Sequence, residues 1–247
     1  MTTLNRAFIK AYERSPVAPA PHASFPTEVE TPPIRKRQQI NWPETCESLL
    51  ATAGTQLAAL AAELVDFSLL GPKALFITGV RRGEGRTTLL LTLARHWSNQ
   101  GKRVLLVDAD CQRPQLAECA GLTVAAGWDD ALTGKVSLDQ AFVETVDGIA
   151  FLALRGPVAA ERLKLAGVKL PSQPDVLLRQ FDCVCFDAGP RAAGAGPIAD
   201  RLLGNPAVLD AAVVVRDARQ TAFESDTLVQ RLTQAGVRRW HLVENFT

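Results

Sequence analysis

Apolar positions along the chain fall into two rhythms. Leu49, Ala53, Leu57, Leu60, Leu64 and Phe67 recur at spacings of three and four, which predicts one amphipathic helix over 44–69, ended by Gly71-Pro72. Six short runs follow that are almost continuously apolar: 74–78, 103–109, 149–153, 183–187, 211–216 and 239–244. Runs of this length without polar alternation predict strands covered on both faces. Helical stretches separate most of them, over 87–100 and 221–235 for example. The alternation predicts an α/β fold: a three-layer, doubly wound, mostly parallel sheet with right-handed crossovers. Ligands of such sheets sit beyond the carboxyl ends of the strands.

The first 43 residues break both rhythms. They carry seven of the 15 prolines, at 16, 19, 21, 26, 32, 33 and 43. That density forbids a regular helix or a central strand, so 1–43 reads as a disordered tail and linker and 44–247 as one domain. Within the tail Leu4, Ala7, Phe8, Ala11 and Tyr12 fall at helical spacing, which would suit a short docking helix, though a frayed terminus explains them as well. Arg35-Lys36-Arg37 is too short a basic cluster to need more than water.

Composition narrows the class. A net charge of +1 makes no case for nucleic acid or an anionic lipid surface as an electrostatic partner. No apolar run nears the roughly 20 residues of a spanning helix, and the N-terminus lacks the apolar core of a signal peptide. Five scattered cysteines do not make a disulfide framework. A cytoplasmic protein is expected.

Three stretches carry chemistry, each at a predicted strand end. The first is Gly79 to Thr88, GVRRGEGRTT. Gly83 and Gly85 let backbone N–H groups turn toward an anion, and the helix beginning near Arg86 adds its positive end. Thr87 stands where a hydroxyl would meet a magnesium ion. The strict phosphate-loop pattern G-x-x-x-x-G-K-[ST] is not met, because Val80 takes its first glycine position and Arg86 its lysine. The second is Leu105 to Asp110, LLVDAD, whose two aspartates point to one side of an extended chain. Carboxylates beside a phosphate loop hold a metal or activate a nucleophile. The third is Val184 to Asp187, VCFD, an apolar run ending in one carboxylate. Any one of them is commonplace; the three in this order point to a nucleotide site.

These segments resemble the deviant P-loop ATPases of the MinD/ParA type, and most of all bacterial tyrosine kinases of the CpsD/CapB kind. The loop of that family reads TSxxPGEGKT, and Thr78 to Thr87 follows it. Its LLIDADLRRP segment is similar to Leu105 to Pro114, LLVDADCQRP. Gly127 to Gly134 resembles a GLSDVLSG segment, Asp187-Ala188-Gly189-Pro190 a DxPP end, and Glu244-Asn245-Phe246 a VLN segment near the adenine. The resemblance implies a P-loop NTPase fold of the SIMIBI-like class and ATP or ADP with Mg²⁺ as ligands. Arg82, Gly83, Glu84, Gly85, Arg86, Thr87, Thr88 and Asn245 are then the expected nucleotide-binding residues. Thr87, Asp110 and Asp187 would hold the metal, and Asp108 with Arg86 would be catalytic. It also implies a role in exopolysaccharide synthesis or export, a membrane-bound export protein contacted from the cytoplasm as partner, and a homo-oligomer.

The departures bear on activity. Guanidinium is planar and bulkier than ammonium, so phosphate binding can survive at Arg86 while the geometry for in-line transfer is lost. Arg81 aligns with the signature lysine of MinD-like loops, and Gln112 stands where the second motif has an arginine. The sequence ends Glu244-Asn245-Phe246-Thr247 with Tyr12 its single tyrosine, so self-phosphorylation of a C-terminal tyrosine cluster is not expected. Residues 47–60 hold no arginine, unlike the oligomerisation helix of the kinases. Two function classes stand: an enzyme that hydrolyses ATP or passes its γ-phosphoryl group to protein tyrosine, and a catalytically weak pseudokinase or ATPase switch whose bound nucleotide a partner reads.

Overall fold

All six apolar runs become strands. The computed structural model describes residues 37–67, 73–159, 180–190, 209–220, 222–237 and 239–245, all within the unit Lys36–Thr247. Helix α1 (Glu44–Leu64) leads into β1 (Lys73–Gly79), α2 (Arg86–Asn99) and β2 (Val104–Asp108). Short helices α3 (Leu116–Cys119), α4 (Trp128–Leu132) and α5 (Leu138–Ala141) precede β3 (Phe142–Glu144) and β4 (Ile149–Leu152). The chain closes with β5 (Cys183–Asp187), β6 (Ala211–Asp217), α6 (Ala222–Gln234) and β7 (Trp240–Asn245). The helically spaced residues 4–12, most of the proline-rich stretch and Gly71-Pro72 lie outside the described residues.

The seven strands form one sheet in the order β3-β4-β2-β5-β1-β6-β7. All neighbours are parallel except β3 with β4. The predicted three-layer, mostly parallel fold is therefore present. Alternation along each strand sorts its side chains between two cores. Leu75, Ile77, Leu106, Cys185 and Val213 face one core, shared with Leu57, Ala61 and Leu64 of α1 and with Leu90, Leu93 and Trp97 of α2. Ala74, Phe76, Leu105, Val184 and Val214 face the other, shared with Trp128 of α4 and with Leu228 and Leu232 of α6. Every residue of β1, β2, β4 and β5 is buried, which is why these runs read as unbroken apolar segments.

Two details differ from the sequence reading. Helix α1 stops at Leu64, where Val65 turns extended, and it kinks at Ala53, just before the flexible Gly54. Strand β3 is not among the predicted runs. It has three residues, and it is stabilised by antiparallel pairing with β4 and by Gln38, whose N–H reaches the Glu144 carbonyl at 2.9 Å. Gln38 also grips Thr123 with both ends of its amide, at 2.8 and 2.9 Å. The segment just before α1 thus straps the β3 edge of the sheet.

Trp97 is 1% exposed and meets Phe67 edge-on, with ring centroids 6.4 Å apart. Trp97→Ala should lower stability by about 3–5 kcal/mol through lost burial and the cavity left behind. Urea unfolding measures this, and a loss below about 1 kcal/mol would show that α2 is not anchored by this side chain.

Candidate nucleotide site

Parallel pairing sets three strand ends level. Ile77 of β1 and Asp108 of β2 both stand opposite Asp187 of β5. The next residues on β1 enter the glycine-rich loop, and those after Asp108 lead to Asp110. The three sequence signals are therefore neighbours at one end of the sheet.

The loop is shaped by two glycines and one carboxylate. Gly83 and Gly85 have φ of 82° and 90°, in the left-handed region that glycine enters without strain. Gly85 is the N-cap of α2 and offers no side-chain cap, so the first N–H groups of that helix are left for an anion. A Cβ at Gly85 would stand 2.5 Å from Asn245 Nδ2, the amide that donates to the Glu84 carbonyl at 3.1 Å. The end of β7 thereby buttresses the loop from below. Glu84 turns inward and accepts the N–H groups of Val80 and Arg81 at 2.8 and 2.9 Å. Burial pushes its carboxyl pKa up, and these two bonds oppose the rise. Arg81 points away, to Glu224 of α6 at 3.0 Å and to Gln220 at 2.6 Å.

Arg86 is buried, and its guanidinium leads under the loop to the end of β5. It donates to the Ala188 carbonyl and lies 3.9 Å from the Asp187 carboxylate. Thr87 donates to the other oxygen of Asp187 at 2.6 Å. Burial raises the Asp187 pKa, and Arg86 first, then Thr87, pull it back. A buried carboxylate needs such partners, because unpaired it would cost several kcal/mol. Thr88 follows in the first turn of α2, and its carbonyl takes the Thr92 hydroxyl at 2.7 Å.

Asp108 is fully buried and engaged at both oxygens. One accepts the Asp110 N–H at 3.2 Å and the other the Leu116 N–H at 3.1 Å, which pins the start of α3. Trp128 Nε1 holds the Asp108 carbonyl at 3.0 Å. Burial, and next the nearby Asp187, push the Asp108 carboxyl up to about 8. Asp110 sits against Arg82, which forks onto it at 2.8 and 3.4 Å. Asp110 also accepts the N–H groups of Gln112 and Arg113 at 3.2 and 3.1 Å. Beside Asp108, on the α3 side, a cavity of about 310 Å³ is lined by Gln115, Glu118, Leu122, Leu154 and Arg155.

The structure thus brings together every residue singled out in the sequence for nucleotide, metal and catalysis. Three of its pairings lie beyond the sequence reading: Glu84 on the loop amides, Arg86 on β5, and Arg82 on Asp110. Only the last has a signal in the sequence, a cation and an anion on neighbouring strand-end loops. As a magnesium site the donor set fits in part. Thr87 and Asp187 are adjacent oxygen donors, as a hard cation requires. Asp110 is held by Arg82 and Asp187 faces Arg86, and among the described residues no three metal-capable carboxylates, histidines or cysteines converge. As arranged, each of the two carboxylates faces an arginine.

Fold and strand order are those of the P-loop NTPase fold that MinD and bacterial tyrosine-kinase domains share. The kinase domain of the Escherichia coli tyrosine kinase ETK superposes with a TM-score of 0.64 at 22% identity, covering 87% of this chain and 85% of that one. MinD of Pyrococcus horikoshii OT3, solved with Mg-ADP, gives 0.57 at 22% identity and 69% of each chain. In sequence, the tyrosine-protein kinase YwqD of Bacillus subtilis (strain 168) is 30% identical over 153 residues, which are 62% of this chain and 62% of YwqD. The chain belongs to the family described as cellulose biosynthesis protein BcsQ, whose model matches residues 73–228.

The Asp108 carboxyl has a pH consequence. Its folded pKa of about 8 lies above the ordinary 3.8, so the fold favours the protonated form. The stability this proton adds is fully present below about pH 4 and is lost as pH rises through 8. Between pH 5 and 8 the wild type should therefore lose stability more steeply than Asp108→Asn, by up to about 1.4 kcal/mol per pH unit. Parallel slopes in chemical unfolding across that range would contradict a buried protonated Asp108.

Proposed function

We propose that this chain is an adenine-nucleotide-binding module of polysaccharide synthesis, one that turns its nucleotide over slowly or not at all. The observation that carries the reading is the placement of Arg86. In the loop pattern the residue at this position reaches the β- and γ-phosphates. Here it is committed to the Ala188 carbonyl and Asp187 beneath the loop. Freeing it would leave Asp187 buried with one partner fewer. In this reading the amides around Gly83, Gly85 and the first turn of α2 would take the phosphates, and Asn245, beside Gly85, would contribute to the same site.

ATP or ADP is the proposed ligand, supported by the Mg-ADP bound to the Pyrococcus MinD. The bound nucleotide sets a conformation that a partner reads. Membership of a cellulose-biosynthesis family supports a membrane-bound polysaccharide synthesis or export protein as that partner, contacted from the cytoplasm. Homo-oligomerisation belongs to the same proposal. No described helix is long and apolar enough to cross a membrane.

A second reading, phosphoryl transfer to protein tyrosine, is favoured by Asp108 and Asp187 standing level at adjacent strand ends, with Asp110 two residues further on, and by the likeness to YwqD. In it Asp108 would orient the acceptor hydroxyl and take its proton. Against it, both Asp108 oxygens already accept backbone N–H groups.

Nucleotide that binds only the folded chain stabilises it by linkage, about 2.7 kcal/mol at a hundredfold excess over Kd. ATP and ADP should each raise the thermal midpoint of the full chain. An unchanged midpoint at millimolar ATP and ADP would sink the nucleotide reading.

A further inference from the structure

A divalent cation at a nucleotide site bridges carboxylate oxygens of the protein to phosphate oxygens of the ligand and cancels charge on both. In this chain the carboxylate half of that bridge is already made by arginine. Arg82 lies on the glycine-rich loop, three residues before the N-cap of α2. Its guanidinium forks onto both oxygens of Asp110 and also meets Gln112 Oε1 at 3.4 Å. Arg86 lies against Asp187. The two carboxylates that a metal would need are thus matched by two fixed cations.

The two pairs differ in a way that assigns roles. Arg86 is buried with Asp187, so it is part of the floor. Arg82 keeps about a third of its side chain exposed (33%), while Asp110 beneath it is 9% exposed. Arg82 is therefore partly open to solvent above a buried carboxylate. A guanidinium has five N–H donors in a planar fork, and it can hold a carboxylate on one edge and a phosphate on another. Asp110 is itself fixed by the N–H groups of Gln112 and Arg113, so the fork is set in direction before any ligand arrives.

We propose that Arg82, seated on Asp110, is the tethered cation of this site, and that it holds nucleotide phosphates in place of a divalent metal. This rests on the nucleotide reading above and adds to it that binding is independent of magnesium. Recruiting an ion to Asp110 would require breaking the Arg82–Asp110 pair. The same substitution of cation fits slow turnover, since the phosphates are neutralised by a group fixed to the loop.

The test is calorimetric titration of the full chain with ADP, in magnesium and in EDTA. For the wild type the two Kd values should agree within about threefold. Arg82→Ala should bind about tenfold or more weakly in EDTA and recover in magnesium, because Asp110 is then released to the ion. Arg82→Gln, which keeps length and hydrogen bonding without charge, should behave as Arg82→Ala, and urea unfolding checks that both variants fold. A wild type that loses about tenfold or more in EDTA overturns the tethered cation and leaves the nucleotide reading standing. So do variants whose EDTA affinity matches the wild type. Absence of binding in both buffers overturns the nucleotide reading, and this inference with it.

Discussion

Asp187 is the group on which the site depends. Parallel pairing carries it, buried, to the middle of the sheet end, level with Asp108 on one side and Ile77 on the other. A carboxylate there must be matched or protonated. Arg86 and Thr87, successive residues of one helix start, supply the match. The loop cannot shift without exposing that pair, so the start of α2 and the end of β5 are fixed to one another. Lysine in place of Arg86 would have one compact charge to offer, whereas guanidinium can span the Ala188 carbonyl and the carboxylate together. The substitution therefore redirects the loop's cation from the ligand to the framework.

The rest of the site shows the same habit of internal closure. Glu84 takes two loop amides, Arg82 takes Asp110, Arg81 takes Glu224, and Asp108 takes the N–H groups that begin the next segment. Each pairing pre-forms the loop, which favours holding a ligand in one geometry.

How much of this was legible in the sequence follows from the range of the forces. Six strands could be read because burial on both faces leaves unbroken apolar runs. Strand β3 could not, because its three residues are held by β4 and by Gln38 from more than 100 positions away. The glycine loop and the three aspartates were legible as residue types at strand ends. Their partners were not. Whether Arg86 turns up to a phosphate or down to Ala188, and whether Asp108 serves as a base or as an anchor for α3, are decided by strand register and burial. Neither is written in local spacing.

With Arg86 spent on Asp187 and Ala188, the proposed function requires bound ATP to stay intact. The direct measurement is a single-turnover quench, with enzyme in excess over ATP labelled at the γ-phosphate. For the wild type the label should be recovered as ATP, while Arg86→Lys should release or transfer it measurably faster. Wild-type loss of the γ-phosphate at the roughly 1–100 s⁻¹ typical of kinases would contradict the account.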